Sequence, residues 1–225
     1  DMKKLSETLP WRLPEFDANP QLNPVPENAP PDVPRVRFMS KDSRYLLEAG
    51  PRKVHFRMMP GEIKQTDRGA NIQALPIAQA FENFIPQAMR VHTTLCEHFG
   101  ATANRLGVVV DVIAPTPSSA NQRMQQNLLG GKNLLGERLH DLQIQALAKT
   151  RLAGDLGINR RLTVRSMRTG AEGNPDLILS VQIDINTLAE EPYDVATSDL
   201  EAFLNGVVAH CESDVPLLQE SAFFE

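Results

Sequence analysis

Leu177-Ile178-Leu179-Ser180-Val181-Gln182-Ile183-Asp184-Ile185-Asn186 is the stretch that decides the fold class. Leu177, Leu179, Val181, Ile183 and Ile185 fall on one side, and Ile178, Ser180, Gln182, Asp184 and Asn186 on the other. Period-two alternation of this kind is a strand with one buried and one wet face. The turn-rich run Thr169-Gly170-Ala171-Glu172-Gly173-Asn174-Pro175 joins it to an alternating segment at 161–168, which reads as a hairpin. Beyond it, Ser198-Asp199-Leu200-Glu201 predicts a capping box, with Ser198 as N-cap and Glu201 reaching back. The helix that follows, over 199–215, carries Leu200, Phe203, Leu204, Val207, Cys211 and Val215 as its apolar stripe, and Pro216 is expected to end it.

Towards the N-terminus, 105–113 is a strand rich in valine, closed by Pro115 and Pro117. Between it and the hairpin, Gly130-Gly131 breaks the chain. Leu135, Leu139, Leu142 and Ala146 fit a helix there, while Leu142, Ile144 and Ala146 alternating with Gln143 and Gln145 also fit a strand; the helix is the reading preferred. Further back the same order occurs. Segments 35–39, 44–48 and 53–59 alternate and are separated by Lys41-Asp42-Ser43 and Ala49-Gly50-Pro51, which predicts an antiparallel meander. A helix over 77–99 follows, with Ile77, Phe81, Phe84, Ala88, Val91, Leu95 and Phe99 on one stripe. Pro76 suits its first turn, Gly100 its stop, and Pro86 is expected to kink or split it.

These elements predict an α+β protein: one antiparallel sheet packed on two long helices, with a pseudo-two-fold βββα repeat. The units are 35–100 and 105–215, the second carrying an insertion at 115–158. Val108-Val109-Val110-Asp111-Val112 echoes Val181-Gln182-Ile183-Asp184-Ile185, each with an acid on the polar side. Ahead of the single domain at 35–225 lies a proline-rich segment, 1–34, holding eight of the 17 prolines. Proline fixes φ and removes a donor, so an extended arm is expected there. Trp11, Leu13 and Phe16 would pin it to a groove, or it would dock on a neighbouring subunit to make a homodimer.

A chain of 225 residues can bury a sizeable core, and 41% hydrophobic with 23% charged residues is ordinary for a globular protein. The formal net charge of -5 does not point to nucleic acid. No run approaches the roughly 18 apolar residues of a spanning helix, and no basic start leads into an apolar stretch. A cytoplasmic protein without a membrane partner is therefore expected, although a leader removed ahead of Asp1 is compatible with the sequence. Two cysteines, Cys96 and Cys211, are too few for a disulfide framework and read as free buried thiols; a single bridge between their helices is the alternative.

Phosphate-loop, dinucleotide, nucleophile-elbow and zinc-finger spacings are missing from the sequence, so no cofactor is expected. His92 and Cys96, four apart on one helix, face the same way and would need His210 and Cys211 to complete a metal site; the adjacency of the latter pair turns them about 100° apart, which argues against one. His98 suits the helix end. Asp111 and Asp184 are the candidate acid–base pair, with strand residues balancing arginines as the plainer reading. Arg35, Arg37, Lys53 and Arg57, and Arg161 with Arg165, fall on the wet sides of their strands, flanked by Arg160 and Arg168. A shared basic sheet face would bind phosphates or an acidic protein surface; paired with Asp111, Asp184 and Glu48 it would simply be a solvated face. Two tyrosines and one tryptophan offer little base stacking, which disfavours nucleic acid.

Three stretches resemble a sporadically distributed family of uncharacterised prokaryotic proteins: Phe38-Met39-Ser40-Lys41-Asp42-Ser43-Arg44-Tyr45-Leu46-Leu47-Glu48 with Val54-His55-Phe56-Arg57; Gly157-Ile158-Asn159-Arg160-Arg161-Leu162; and 177–185 followed by 200–218. The resemblance covers most of 35–220. Members of the family begin with a further strand that this sequence does not show. The resemblance implies an accessory or interaction role beside mobile-element or defence genes, and brings no catalytic residues. The function expected is a non-enzymatic binding or scaffold module with a protein partner. The alternatives are a polyanion- or RNA-binding domain using Arg35, Arg37, Arg57, Arg161 and Arg165, an enzyme of unfamiliar type around Asp111 and Asp184, and a chaperone-like apolar groove.

Overall fold

The structure, a computed structural model, describes residues 2–17, 19–26, 28–59, 61–66, 69–115, 120–130, 143–152, 156–167, 178–188 and 195–220. The protein is α+β, and the chain divides into two compact units, Asp1–Pro60 with Glu82–Ala101, and Gly61–Phe81 with Thr102–Glu225. Each contains its own four-stranded antiparallel sheet. The single sheet expected from the sequence is thus two sheets, because no strand of one pairs with a strand of the other among the described residues.

The first unit begins with helix α1 (Met2–Arg12), then strands β1 (Gln21–Leu22), β2 (Val36–Met39), β3 (Tyr45–Ala49) and β4 (Val54–Met58), paired in that order. The expected meander is present: Phe38 lies opposite Leu47, and Leu47 opposite Phe56. Its turn is built by Ser40 and Asp42, whose hydroxyl and carboxylate accept the amides of Tyr45 and Arg44.

The 1–34 segment departs from the extended arm. The first proline is Pro10, so nothing restricts the residues before it, and Leu5, Leu9 and Leu13 at steps of four make a helical stripe. All three are buried with Phe16, Val36, Phe38, Leu47, Ala49, Val91 and Leu95 in one core. Trp11, expected to pin the arm, instead stands 85% exposed. Beyond α1 the segment is stitched along β2: Phe16 bridges Ser40, β1 pairs with β2, and the Asn23 amide donates to the Arg35 carbonyl. A proline-rich stretch suits such an outer edge, where half the donors have no ladder to join.

Helix α2 (Ile77–Phe99) has the bounds expected from the sequence and runs unbroken with Pro86 inside. From Glu82 on it belongs to the first unit, where Val91 and Leu95 join the core. Phe84 stacks on Phe56 and Phe56 on Tyr45, at 5.4 and 5.6 Å between ring centres. Gly100 ends the helix at φ 61°, a backbone shape that glycine takes without a Cβ clash.

The second unit holds the hairpin β5 (Gly61–Thr66) and β6 (Gly69–Ala74), which the sequence reading passed over. It continues with β7 (Gly107–Pro115), α3 (Ala120–Leu129), β8 (Gln143–Arg151), β9 (Gly157–Met167), β10 (Ile178–Thr187) and α4 (Thr197–Glu220). The sheet order is β7-β10-β9-β8. Ala146, read with Leu135, Leu139 and Leu142 as helix, lies instead on strand β8: Ile144, Ala146 and Ala148 sit opposite Val164, Leu162 and Arg160 of β9. Leu135, Leu139 and Leu142 lie outside the described residues. On β10, Leu179, Val181, Ile183 and Ile185 are buried to within 1% exposure, as the alternation requires. Leu200, Phe203, Leu204, Val207 and Cys211 bury the stripe of α4. This helix differs from expectation at both ends. Asp199, not Glu201, reaches back, accepting the Ala196 amide at 2.9 Å, and the helix continues past Pro216. A proline there removes one helical hydrogen bond without reversing the chain. Among the described residues no helix is long and apolar enough to cross a membrane.

Gly50 is where the N-terminal segment meets the meander: a Cβ at this position would lie 2.7 Å from the Val33 carbonyl oxygen. Gly50→Ala is therefore expected to destabilise the protein by about 1–3 kcal/mol through overpacking against backbone. A urea titration checks it; an unchanged midpoint contradicts the close approach.

Candidate binding face

The face of the first sheet turned away from the core is built by alternation. Opposite to Val36 and Phe38, β2 presents Arg37, with Arg35 just before it; β4 presents His55 and Arg57, with Lys53 just before it. Between them β3 presents Glu48, directly across from Arg37 on one side and His55 on the other. Glu48 is 5% exposed. Arg37 donates from both Nε and Nη2 to its Oε1, at 3.1 and 2.7 Å, and Arg57 Nη2 lies 3.2 Å from Oε2. Charge-assisted bonds of this kind hold an arginine in one orientation and satisfy a carboxylate that water no longer reaches. The guanidiniums keep their outer sides wet, with side chains 40% exposed for Arg37 and 59% for Arg57.

Four cationic side chains, Arg35, Arg37, Lys53 and Arg57, thus share this side of the sheet with Glu48, which pairs with Arg37 and Arg57 alone among them. The buried Nε of Arg35 has no hydrogen-bond partner among the described residues. His55 adds no charge at neutral pH. Burial first, then Lys53 and Arg57, pull its pKa below 6.5, and Glu48 opposes them only in part.

Arg161 and Arg165 stand on the corresponding face of the second sheet, so the five candidate arginines are divided between two sheets. Arg161 is opposite Asp184 but 4.0 Å from its carboxylate; Arg165 is opposite Ser180, exposed and without a partner among the described residues. Arg160 turns to the other side and pairs with Asp214 of α4. Arg168 lies outside the described residues. Asp111 and Asp184 share the polar face on adjacent strands, Asp111 opposite Gln182 and Asp184 opposite Val109. Each accepts a neighbouring amide, Gln182 on Asp111 at 3.0 Å and Asn186 on Asp184.

On α2, His92 Nε2 lies 3.6 Å from Cys96 Sγ, the same-face arrangement their spacing predicts. Burial lowers the His92 pKa and, with Glu97, raises that of Cys96, so both are neutral at pH 7 and the thiol is not an activated nucleophile. Cys211 is fully buried and pushed up to about 12, chiefly by burial. Both cysteines are free. Among the described residues no group of three or more His, Cys, Asp or Glu side chains is placed to hold a metal ion.

Alternation alone places the arginines on the wet face, with Glu48 as one of several balancing acids. The signal for its central role was its place as the single acid in the apolar run of β3. Comparison with protein-family models, with curated proteins and with solved structures gives no match for this chain. The class defined by the residues themselves is an α+β protein of two four-stranded antiparallel sheets and a two-stranded hairpin, one four-stranded sheet having a clamped basic face.

Glu48→Gln is expected to lower stability by about 1–3 kcal/mol, since it removes charge-assisted bonds at a buried position. Arg57→Ala, which leaves Arg37 on Glu48, is expected to cost under about 1 kcal/mol. Chemical denaturation of the two variants gives the comparison, and equal losses would contradict the central role of Glu48.

His55, His92 and His210 are all depressed below 6.5, chiefly by burial. An unfolded chain therefore takes up these protons at a higher pH than the folded one. Stability is full above about pH 7 and falls as pH drops through 6.5 towards the folded values. Urea midpoints measured down to about pH 5 should decline, less steeply for His55→Gln.

Proposed function

We propose that this chain is a non-enzymatic binding module that docks a protein partner rich in carboxylates on the basic face of its first sheet. The observation that supports this reading is the Glu48 clamp. One buried acid fixes two half-exposed arginines beside Arg35 and Lys53, leaving positive charge in excess and outer donors free for a partner. Arg161 and Arg165 supply the same chemistry on the second sheet. An acidic protein is favoured over RNA because Tyr45, Phe56 and Phe84 stack on one another on the core side, and Trp11 belongs to α1, which packs there too. In this reading β2, β3, β4 and α2 form one βββα unit and β7, β9, β10 and α4 a second, with β5-β6 added to the first and α3 and β8 inserted in the second. The family resemblance suggests such a module beside a prokaryotic defence or mobile-element system, and the cytoplasm is the compartment proposed for it.

Fluorescence anisotropy with labelled polyglutamate and with labelled single-stranded RNA tests it. Polyglutamate is expected to bind at about 50 mM salt and weaken towards 200 mM. Arg57→Ala should weaken it about threefold, and Arg57→Glu further. Failure to bind polyglutamate at low salt overturns the reading. Tighter RNA binding with the same dependence on Arg57 reassigns the face to nucleic acid.

A further inference from the structure

We propose that two copies of this chain pair along β8, joining their second sheets into one eight-stranded antiparallel sheet. β8 stands at the end of the order β7-β10-β9-β8, paired to β9 through nine consecutive positions without a bulge. Its other side carries no strand among the described residues. Seven of its nine residues are exposed, on both faces, whereas Thr163 and Val164 opposite it on β9 are buried. Leu147, at its centre, is 61% exposed. Folded proteins blunt edges with prolines, bulges or charges, lysine above all. The stretch Ile144-Gln145-Ala146-Leu147-Ala148 has none of these, and its charges, Lys149 and Arg151, lie at one end only.

The strand is complementary to itself. In an antiparallel pair with the two-fold axis at Leu147, Leu147 meets Leu147 of the second copy and Ala146 meets Ala148. Ile144 meets Thr150, Gln145 meets Lys149, and Gln143 meets Arg151. Every cation faces an amide that can accept from it, the two leucines leave water together, and no like charges stand opposite. Moving the axis two residues along, to Lys149, sets the two lysines against each other, which directly opposed like charges disfavour. The charge pattern therefore disfavours the register centred on Lys149 and leaves the one centred on Leu147 open. This contact is independent of the basic face. It also differs from exchange of the N-terminal segment, whose Leu5, Leu9, Leu13 and Phe16 are buried in their own unit.

Cysteine crosslinking of the full chain in a Cys96→Ser background tests it, with sedimentation velocity on the unmodified protein. At the axis the two Cβ atoms would be about 5 Å apart, so Leu147→Cys is expected to form a covalent dimer on mild oxidation. Gln143→Cys alone should not, since its two copies would be about 26 Å apart. A mixture of Gln143→Cys and Arg151→Cys should crosslink one to the other. Leu147→Lys, at an exposed position, should fold normally and lose the dimer. Monomer at every concentration of the unmodified chain, or crosslinking at 143 as efficient as at 147, overturns the proposal.

Discussion

Glu48 is a carboxylate removed from water on an inner strand of the first sheet, and that burial constrains everything around it. An ion in such a place is tolerated only with opposite charge and hydrogen bonds close by. Arg37 and Arg57 supply both, from the strands on either side. Each arginine therefore sits where Glu48 requires it. The alternation that buries Val36, Phe38 and Leu47 on one face delivers these three groups to the other in the same register. Core and polar face are consequences of one pairing, and a one-residue slip would destroy both together.

The two sheets treat their edges differently. Along β2, the segment after α1 adds Phe16, β1 and Asn23 as an outer lining, and its prolines leave few donors to attract a further strand. The segment is itself anchored by leucines buried in the core. β8 has no lining of this kind among the described residues and keeps a regular, neutral centre. An outer strand as long as β8 needs either a blunting feature or a partner. Charge restricted to one end leaves the centre of the strand open to pairing and penalises only a register that sets the two lysines together.

How much was legible in the sequence follows from how local each signal is. β10 could be read residue by residue, since burial of one face leaves strict alternation, and α2 could be read to its ends because Pro76 and Gly100 punctuate a continuous stripe. α1 is masked in the sequence by the prolines of the 34-residue segment, although the helix nearly ends where they begin. β5 and β6 carry one isoleucine each, Ile63 and Ile72, too few for any period to emerge. β8 was ambiguous for the reason that now makes it notable: it is exposed on both faces, so no burial pattern was imposed on its sequence. For the candidate face, the side each arginine occupies was legible from alternation, but its partner was not. Pairing depends on register between strands, and Arg160 with Asp214 depends on two elements 54 residues apart.

The two polar faces share a plan and differ in how tightly it is held. In each, an inner strand offers an acid and a neighbouring strand offers arginine. Glu48 is nearly sealed and bonded at three points, whereas the Asp184 side chain is 21% exposed and Arg161 stands 4.0 Å off. A loosely held arginine must be ordered when a partner arrives, at roughly 0.5–1.5 kcal/mol for each side chain immobilised. Arg37 and Arg57 have met most of that cost on folding. Of two basic faces with similar residues, the one with the buried acid is thus the better prepared for binding, because that acid makes its arginines rigid.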